Sequence, residues 1–414
     1  MMLRIKDYTT KVGSGVTPRG GAETYLDEGI PLFRSQNVTN DGFLMDDIAF
    51  ISEEVDESMK GTRVKPGDVL LNITGASIGR CFYTSDDFER GNVNQHVCII
   101  RPKKNKVKPD YLHYCIISDK GQQQIDLTQT GANREGLAVE DIKGFMFDIP
   151  SLPVQQRIVD YLNKKLAEIN KRITSLAKQQ DAYARLKKSI IHQAVTRGLN
   201  PDVSLKDSGI EWIGMIPEHW EVKRIKDLCS FVSRGSTPDY VDESDFPVMN
   251  QAVFSSGCIN HEVVRYSSYM KPESKIEKGD LLIASTGGGI LGKLYFFNIE
   301  DEQFYADTHV TIVRSPKKTF CVKFLYYLLS IGYNMINSCM AKGSTNQTEL
   351  QRDKLIAYEI AIPSIEEQTR IIDYLDEKCT KIDAAIENIS KQIDASKRLK
   401  RALINEVITG QRAV

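Results

Sequence analysis

The chain has 414 residues with a formal net charge of −1, and 41% of its residues are hydrophobic. This length allows two to four domains, each with a core of its own, and the composition is typical of a soluble globular protein. No apolar run reaches the roughly 18 residues of a membrane span, and the N-terminus lacks the apolar stretch of a secretory signal. We therefore expect a cytoplasmic protein with no membrane association.

The first predicted element is a domain over residues 1–148. Its sequence consists of short β-rich runs separated by Gly, Asp, Asn and Pro turns, with one or two helices between them. A linker and a second domain of the same kind are predicted over residues 199–361. KPGDVLLNITGASIGR (Lys65–Arg80) in the first matches EKGDLLIASTGGGILGK (Glu277–Lys293) in the second. Each domain is therefore predicted to be α+β, on a scaffold that occurs twice.

Residues 149–198 and 362–414 follow the two domains and form the clearest repeat in the chain. Ile149–Thr196 aligns without a gap on Ile362–Thr409, with 21 identities in 48 pairs. Apolar residues recur at seven-residue spacing, and no Gly or Pro interrupts the pattern after the first turn. This predicts two long amphipathic helices with coiled-coil spacing. The positions are Leu162, Ile169, Leu176, Tyr183 and Ile190 in the first helix, and Leu375, Ile382, Ile389 and Leu403 in the second.

Each predicted helix would be roughly 65–70 Å long at 1.5 Å per residue, and alone it could not bury its apolar stripe. The simplest arrangement is an antiparallel pair formed within one chain. Packing of each helix on its own domain, or on another subunit, is the alternative. Ser364 and Glu367 predict a capping box at the start of the second helix, and Pro153 is compatible with the first turn of the first helix.

The eight cysteines are scattered, with no CxxC pair and no Cys/His spacing typical of a metal site. This usage is typical of reduced, mostly buried thiols in a cytoplasmic protein, and no metal is expected. The cysteines are Cys81, Cys98, Cys115, Cys229, Cys258, Cys321, Cys339 and Cys379.

With these features the chain resembles the specificity subunit of type I restriction-modification systems over nearly its full length. The resemblance depends on IPSLPVQQRIVDYL (Ile149–Leu162) and IPSIEEQTRIIDYL (Ile362–Leu375), and on the paired turns TGASIG and TGGGILG. It also depends on the passage between the repeats, which contains both tryptophans, Trp212 and Trp220. There are two departures. The first helix begins with Pro-Val where the family has an acidic residue, and the first domain lacks a KDSGIEWIG prelude.

The resemblance implies an α+β fold. Two similar α/β target-recognition domains are joined by two long antiparallel helices, which form an intramolecular coiled coil with a pseudo-twofold repeat. It also implies a non-catalytic subunit whose two domains each read half of a split site in the major groove of double-stranded DNA. The helices would set the gap and dock two methyltransferase subunits. No cofactor is expected on this chain, because S-adenosylmethionine, ATP and Mg belong to those partners and to separate restriction/translocase subunits.

Side chains that can read base edges cluster on predicted loops in both domains, often beside glycines. In the first domain the candidate DNA-binding residues are Thr17, Arg19, Arg34, Gln36, Asn37, Thr74, Ser77, Arg80, Asn94, Gln95, Asn133 and Arg134. In the second they are Arg234, Thr237, Asn250, Gln251, Thr286, Lys293, Thr308, His309, Thr345, Asn346 and Gln347. Two alike scaffolds with different polar loop residues suit a molecule that reads two different targets.

The charge is distributed unevenly. Residues 1–148 contain 18 basic and 22 acidic residues, and residues 199–361 contain 17 and 21, so each has a net charge of −4. Residues 149–198 contain 10 basic and 3 acidic residues. Because phosphate attraction usually dominates DNA affinity, we expect the isolated chain to bind DNA weakly, with partner subunits supplying much of the phosphate contact. The positive first helix could face phosphates, an acidic partner or solvent.

Two other functions stay open on sequence grounds. A protein-only coiled-coil adaptor would have the same helices, and a stand-alone DNA-modifying enzyme would need a catalytic motif. The sequence has no Asn/Asp-Pro-Pro-aromatic motif and no GxxxxGK[ST] loop, and GGGILG (Gly287–Gly292) is predicted to be a turn. Asp68 and Asp280 are predicted to close turns before strands. His96 and His309 occupy matched positions, but no nucleophile or carboxylate recurs beside both.

Overall fold

The computed structural model of the protein describes residues 2–129, 136–287, 289–315, 320–332, 336–343 and 348–414. Its contacts divide the chain into two compact units, Met1–Ala177 with Ser390–Val414, and Lys178–Ile389. Because this division falls inside both long helices, each unit contains one α/β domain together with a segment of each long helix.

In the first unit, short strands alternate with short helices until a long helix begins. The described strands are β1 (Met2–Arg4), β2 (Thr9–Ser14), β3 (Ile30–Phe33), β4 (Val38–Thr39), β5 (Gly42–Phe43), β6 (Ala49–Ile51), β7 (Val69–Asn72), β8 (Cys81–Tyr83), β9 (Asn92–Val93), β10 (Val97–Pro102) and β11 (Met146–Asp148). The described α-helices are α1 (Glu53–Ser58), α2 (Pro109–Ile117), α3 (Asp119–Gln129), α4 (Val139–Gly144) and the long helix α5 (Leu152–Arg197), which continues into the second unit.

The second unit repeats this organisation. Its described strands are β12 (Leu205–Asp207), β13 (Met215–Pro217), β14 (Glu221–Arg224), β15 (Phe231–Arg234), β16 (Tyr240–Val241), β17 (Pro247–Met249), β18 (Arg265–Ser267), β19 (Leu281–Ala284), β20 (Leu294–Phe296), β21 (Tyr305–Ala306), β22 (Val310–Arg314), β23 (Ala341–Lys342), β24 (Glu349–Leu350) and β25 (Glu359–Ile362). Its described α-helices are α6 (Ile225–Leu228), α7 (Gln251–Phe254), α8 (Val322–Ile331), α9 (Arg352–Ala357) and the long helix α10 (Ile365–Ile408), which continues into the first unit.

The same two sheets occur in both units. The first unit has an antiparallel sheet in the order β2-β10-β7-β8 and a smaller sheet β6-β3-β9, in which β3 and β9 are parallel. The second unit has the antiparallel order β15-β22-β19-β20 and the sheet β16-β18-β17-β21, in which β17 and β21 are parallel. The predicted fold class, with two similar α/β domains and two long helices, is confirmed.

A buried ion pair stabilises the same turn in each unit. Asp68 and Asp280 precede the fully buried strands β7 and β19, and their side chains are inaccessible to solvent. Arg101 donates two hydrogen bonds of 2.7 Å to the Asp68 carboxylate, and Arg314 does the same to Asp280. Each aspartate also accepts a bond of 2.7 Å from the backbone N–H three residues earlier. The two aspartates therefore close turns, as predicted.

The two long helices pack antiparallel. Helix α5 has 46 residues and α10 has 44, and within each unit residues of both helices share one hydrophobic core. In the first unit these residues are Leu162, Leu166, Leu403, Ile404 and Val407. In the second they are Ile191, Ala194, Val195, Ile371, Ile372 and Leu375. Since the start of one helix shares a core with the end of the other, the predicted antiparallel pairing within one chain is confirmed.

The glutamine of the repeated IPxxxxQ motif fixes the start of each long helix to its domain. Gln155 donates hydrogen bonds to the carbonyls of Lys106 and Pro150, at 2.9 and 2.8 Å, and accepts one from the Lys108 N–H at 2.9 Å. Gln368 makes equivalent bonds of 2.9 and 3.0 Å at the start of α10. Both glutamines are completely buried. The motif recurs because each helix needs the same polar attachment.

Two details of the helix prediction are wrong. Tyr183 is 37% exposed, so the apolar stripe of α5 is interrupted at this position. Glu367 does not complete a capping box, although Ser364 Oγ accepts a bond of 3.3 Å from the Glu367 N–H. Instead, the Glu367 carboxylate accepts from Trp220 Nε1 at 3.2 Å and contacts His219 Nε2 at 2.8 Å. The Glu367 carboxylate therefore bonds to residues distant in sequence, whereas the local pattern predicted a bond at the helix terminus.

The structure also bears on the predictions about the cysteines and about membrane-spanning helices. Five of the eight cysteines are buried, as predicted for mostly buried thiols. None of the described helices combines the length and apolar character needed to cross a membrane.

Candidate nucleic-acid interface

Three loops of the first unit meet at one end of its sheets. The Asn94 N–H, just after β9, donates a hydrogen bond of 3.1 Å to the carbonyl of Phe33 at the end of β3. The side chain of Asn72, the last residue of β7, donates a bond of 2.7 Å to the carbonyl of Ser35. The loops that follow β3, β7 and β9 are therefore held together, and they contain most of the candidate residues of this domain.

Asp47 positions two of the candidate side chains. Arg34 Nη2 donates a hydrogen bond of 2.7 Å to the Asp47 carbonyl, and the Gln36 amide donates to the Asp47 carboxylate. Arg34 Nε is buried without a hydrogen-bond partner in the described part of the chain, and its guanidinium lies 5.5 Å from the centre of the Tyr25 ring. Gln36 is exposed, so it can approach a ligand directly.

Two candidates of this domain face inward. Asn37 is 1% exposed, and its side chain bonds to the backbone of Arg34, Leu44 and Asp47 at 3.0 to 3.1 Å. Asn94 is 7% exposed, and its Oδ1 accepts a bond of 3.1 Å from a backbone N–H. The Asn37 amide is bonded through both its oxygen and its nitrogen, and the Asn94 oxygen holds a turn, so we interpret both residues as shaping the loops.

The other candidates of the first domain differ in exposure. Those exposed to solvent are Arg19, Arg80 and Gln95. Those half-buried are Thr17, Thr74 and Ser77. Asn133 and Arg134 lie outside the described residues.

The second unit places its candidates on the corresponding loops, with different local partners. Asn250 follows β17, and its Oδ1 accepts from the N–H groups of Ala252 and Val253, at 2.9 and 3.3 Å, at the start of a short helix. Asn250 therefore also shapes its loop. Gln251 is half-buried, and its Oε1 has no hydrogen-bond partner among the described residues. This oxygen is itself inaccessible to solvent.

The Arg234 side chain contacts strand β24 of the second domain. It pairs with the Glu349 carboxylate and donates a bond of 2.9 Å to the Leu350 carbonyl. Thr237 and Lys293 are exposed and Thr308 is half-buried. The candidates Thr345, Asn346 and Gln347 lie outside the described residues.

A threonine–histidine pair occurs at the same place in both units. Thr74 Oγ1 lies 2.6 Å from His96 Nδ1, and Thr286 Oγ1 lies 2.7 Å from His309 Nδ1. Each threonine follows one central strand of the four-stranded sheet, β7 or β19. Each histidine lies in the turn before the other central strand, β10 or β22. His96 was absent from the predicted DNA-binding residues, although its match with His309 in the repeat could have indicated it.

The turns that present the two histidines are built alike. Asn94 Oδ1 accepts from the His96 N–H at 3.1 Å, and Asp307 Oδ1 accepts from the His309 N–H at 2.9 Å. Burial raises the pKa of the Asp307 carboxyl. The same backbone geometry is thus obtained with an amide in one domain and a carboxyl group in the other.

Other ionisable groups belong to the core rather than to these loops. His113 is buried beside the Cys81 thiol, with 3.5 Å between Nδ1 and Sγ, and burial lowers its pKa to about 4. In the described ranges, no group of three or more His, Cys, Asp or Glu side chains is arranged to hold a metal ion.

Comparison with known proteins gives one family for both halves of the chain. The family model described as the type I restriction modification DNA specificity domain matches residues 2–179 and 217–395. The putative type I restriction enzyme MjaX specificity subunit of Methanocaldococcus jannaschii is 23% identical, with 98% of this chain and 92% of the relative covered. The EcoKI specificity subunit of Escherichia coli is 19% identical, with 98% and 88% covered.

Two solved structures share the fold. A chain from a study of complex assembly and conformational transition of the type I R-M system has a TM-score of 0.76 at 16% identity, with 99% of this chain and 97% of that chain covered. The crystal structure of the HsdS subunit from Thermoanaerobacter tengcongensis has a TM-score of 0.52 at 16% identity, with 100% and 97% covered.

Proposed function

The chain belongs to the family of type I restriction modification DNA specificity domains, and from this premise we propose how it acts. It is the DNA sequence-specificity subunit of a type I restriction-modification complex. Each of its two domains reads one half of a bipartite site in double-stranded DNA through the loops that follow the sheet strands. The chain itself is non-catalytic and selects where its partners act.

The observation that best supports this proposal is the contrast between scaffold and loops. The turn aspartates, the helix-anchoring glutamines and the threonine–histidine pairs recur in both units, with the same partners. The loop positions after β3 and β17 do not recur, because Arg34 and Gln36 stand where the second domain has Asn250 and Ala252. One scaffold with two sets of hydrogen-bonding groups is what reading two different half-sites requires.

The partners follow from the same proposal. Two methyltransferase subunits dock on the long helices, and restriction/translocase subunits join the complex. S-adenosylmethionine, ATP and Mg are held by those partners, and this chain needs no cofactor of its own. The positive first helix segment, with 10 basic and 3 acidic residues over 149–198, is suited to an acidic partner surface or to DNA phosphates.

Mapping of methylated adenine tests this function. The chain would be co-expressed with its cognate methyltransferase in a host lacking other adenine methylation, and the genome would be sequenced for modified bases. We expect methylation at one split motif of two defined parts separated by a fixed unspecified spacer. Methylation at an unsplit motif, or an unchanged pattern when the chain is omitted, would contradict the proposal.

The charge distribution gives a second test. Each domain has a net charge of −4, so phosphate attraction contributes little when the chain is alone. We expect the purified chain to bind its site weakly and the complex with methyltransferase to bind tightly, in side-by-side titrations at the same salt concentration. Nanomolar, salt-tolerant binding by the chain alone would contradict the assigned role of the partners.

A further inference from the structure

The threonine–histidine pairs are polar contacts of the loop clusters in which both residue types are the same in the two domains. They are present in both domains with nearly the same distance, 2.6 Å for Thr74–His96 and 2.7 Å for Thr286–His309. The side chains beside them change between domains, since Gln95 corresponds to Thr308 and Asn94 to Asp307. A group shared by two readers of different half-sites cannot be what tells those half-sites apart.

The part of DNA that is the same at every site is the phosphodiester backbone. We propose that each threonine–histidine pair binds one backbone phosphate, and that His96 is therefore a DNA-contacting residue together with His309. This inference rests on the proposed function and assigns separate roles to two sets of residues. The paired residues set the register of each domain on the duplex, and the loop residues that differ read the bases.

The geometry leaves one ring nitrogen of each histidine for a ligand. When the threonine hydroxyl donates to Nδ1, the ring proton is on Nε2, which points away from that hydroxyl and can donate to an anionic oxygen. His309 is exposed and His96 is half-buried, so both rings are within reach of a ligand. The Gln95 amide nitrogen lies 3.4 Å from His96 Nε2, at the long limit of a hydrogen bond, and a phosphate would be the stronger partner.

The backbone beside each pair is also open. Gly75 and Gly287, which directly follow the two threonines, have φ angles of 68° and 89°, in the left-handed region that favours glycine. Among the described residues, a Cβ added at Gly75 would meet no atom within 4 Å, and one at Gly287 would meet the end of the Gln251 side chain at 3.6 Å. The described part of the chain therefore leaves room for a phosphate beside the backbone at both places.

The test uses the complex of the full chain with its methyltransferase and duplexes containing the mapped site. His96→Ala and His309→Ala are each expected to weaken binding about tenfold, the typical effect of losing a hydrogen bond to a charged group. The loss should be equal on the cognate duplex and on duplexes with one base pair changed. Thr74→Val and Thr286→Val remove the hydroxyl that holds each imidazole ring but keep the histidine itself. They should weaken DNA binding less than the histidine substitutions do. His261→Ala, an exposed histidine outside the pairs, is the matched control.

Neutral phosphate analogues locate the contact. A methylphosphonate placed at each phosphate in turn should weaken binding of the wild-type complex at the phosphates that the partner subunits contact and at one further position in each half-site. That position should no longer matter in His96→Ala for one half-site and in His309→Ala for the other. A change in base preference, or full affinity in both variants, would overturn the phosphate assignment while leaving the specificity function intact. Failure of the wild-type complex to select any split site would overturn both.

Discussion

Removal of the glutamine that anchors the first long helix should cause a large and local loss of stability. Gln155→Leu keeps most of the side-chain volume but removes the side-chain partner of three part-buried backbone groups, namely the carbonyls of Lys106 and Pro150 and the N–H of Lys108. A stranded buried group costs about 1–3 kcal/mol, and the lower end of this range applies to part-buried groups, so the expected destabilisation is about 3 kcal/mol. With a urea m value of about 2–3 kcal/mol/M, the unfolding midpoint should fall by about 1 M.

The neighbouring Gln156→Leu is the matched control. Gln156 is exposed and donates only one bond, of 2.7 Å, to Asp160 on the same helix, so its loss should cost less than about 0.5 kcal/mol. Urea titrations of both variants and of the wild type would be followed by far-UV circular dichroism at the helix minimum. Comparison of midpoints is appropriate, because a chain of two compact units need not unfold in a single step. Equal midpoints for the two variants would refute the anchoring role assigned to Gln155.

Three other substitutions should have effects with distinct signatures. Trp220→Ala removes a completely buried side chain that donates to Glu367, and should cost about 3–5 kcal/mol, measured by chemical denaturation. Arg314→Met leaves the buried Asp280 carboxylate without its cationic partner and should cost about 3–5 kcal/mol, measured by chemical denaturation. The folded-state pKa of His113 is lowered to about 4, below its ordinary value of 6.5, so stability should be fully present above pH 6.5 and be lost as the pH falls toward 4. His113→Phe should remove about 3 kcal/mol of this pH dependence, measured as unfolding midpoints from pH 4 to 7.

Each of these three has its own contrary result. Wild-type stability in Trp220→Ala would mean that the passage between the repeats does not hold the second unit together. A neutral effect of Arg314→Met would place Asp280 in contact with water. An unchanged pH profile in His113→Phe would mean that the histidine is protonated in the folded chain, with Cys81 or another neighbour stabilising the charge.

Repetition made much of the architecture predictable. A segment that recurs at one fixed offset with the same polar positions must form the same structure twice, and seven-residue apolar spacing limits that structure to a helix that needs a partner. The glutamines Gln155 and Gln368 show why the repeat persists, since both are buried and attach a helix to its domain in the same way. The turn aspartates Asp68 and Asp280 were likewise identifiable from their position before an apolar run.

The loop residues were harder to assign, because residue type does not determine direction. Asn37 and Gln36 are both amides in one loop, yet Asn37 is buried against three backbone groups and Gln36 is exposed. The contact between Thr74 and His96 could not be read from the sequence, because the two residues lie 22 positions apart and become adjacent only when two strands of a sheet pair.

The sequence alone thus determined the duplication, the two long helices and the family, because these depend on periodicity and on motifs that can be read along the chain. Only the tertiary structure decided which polar groups form hydrogen bonds within the protein and which remain accessible to a ligand. Glu367 illustrates the reason: local sequence assigned its carboxylate to a helix cap, but packing brought Trp220 within 3.2 Å. Hydrogen-bond partners distant in sequence are chosen by the fold, and no local pattern specifies them.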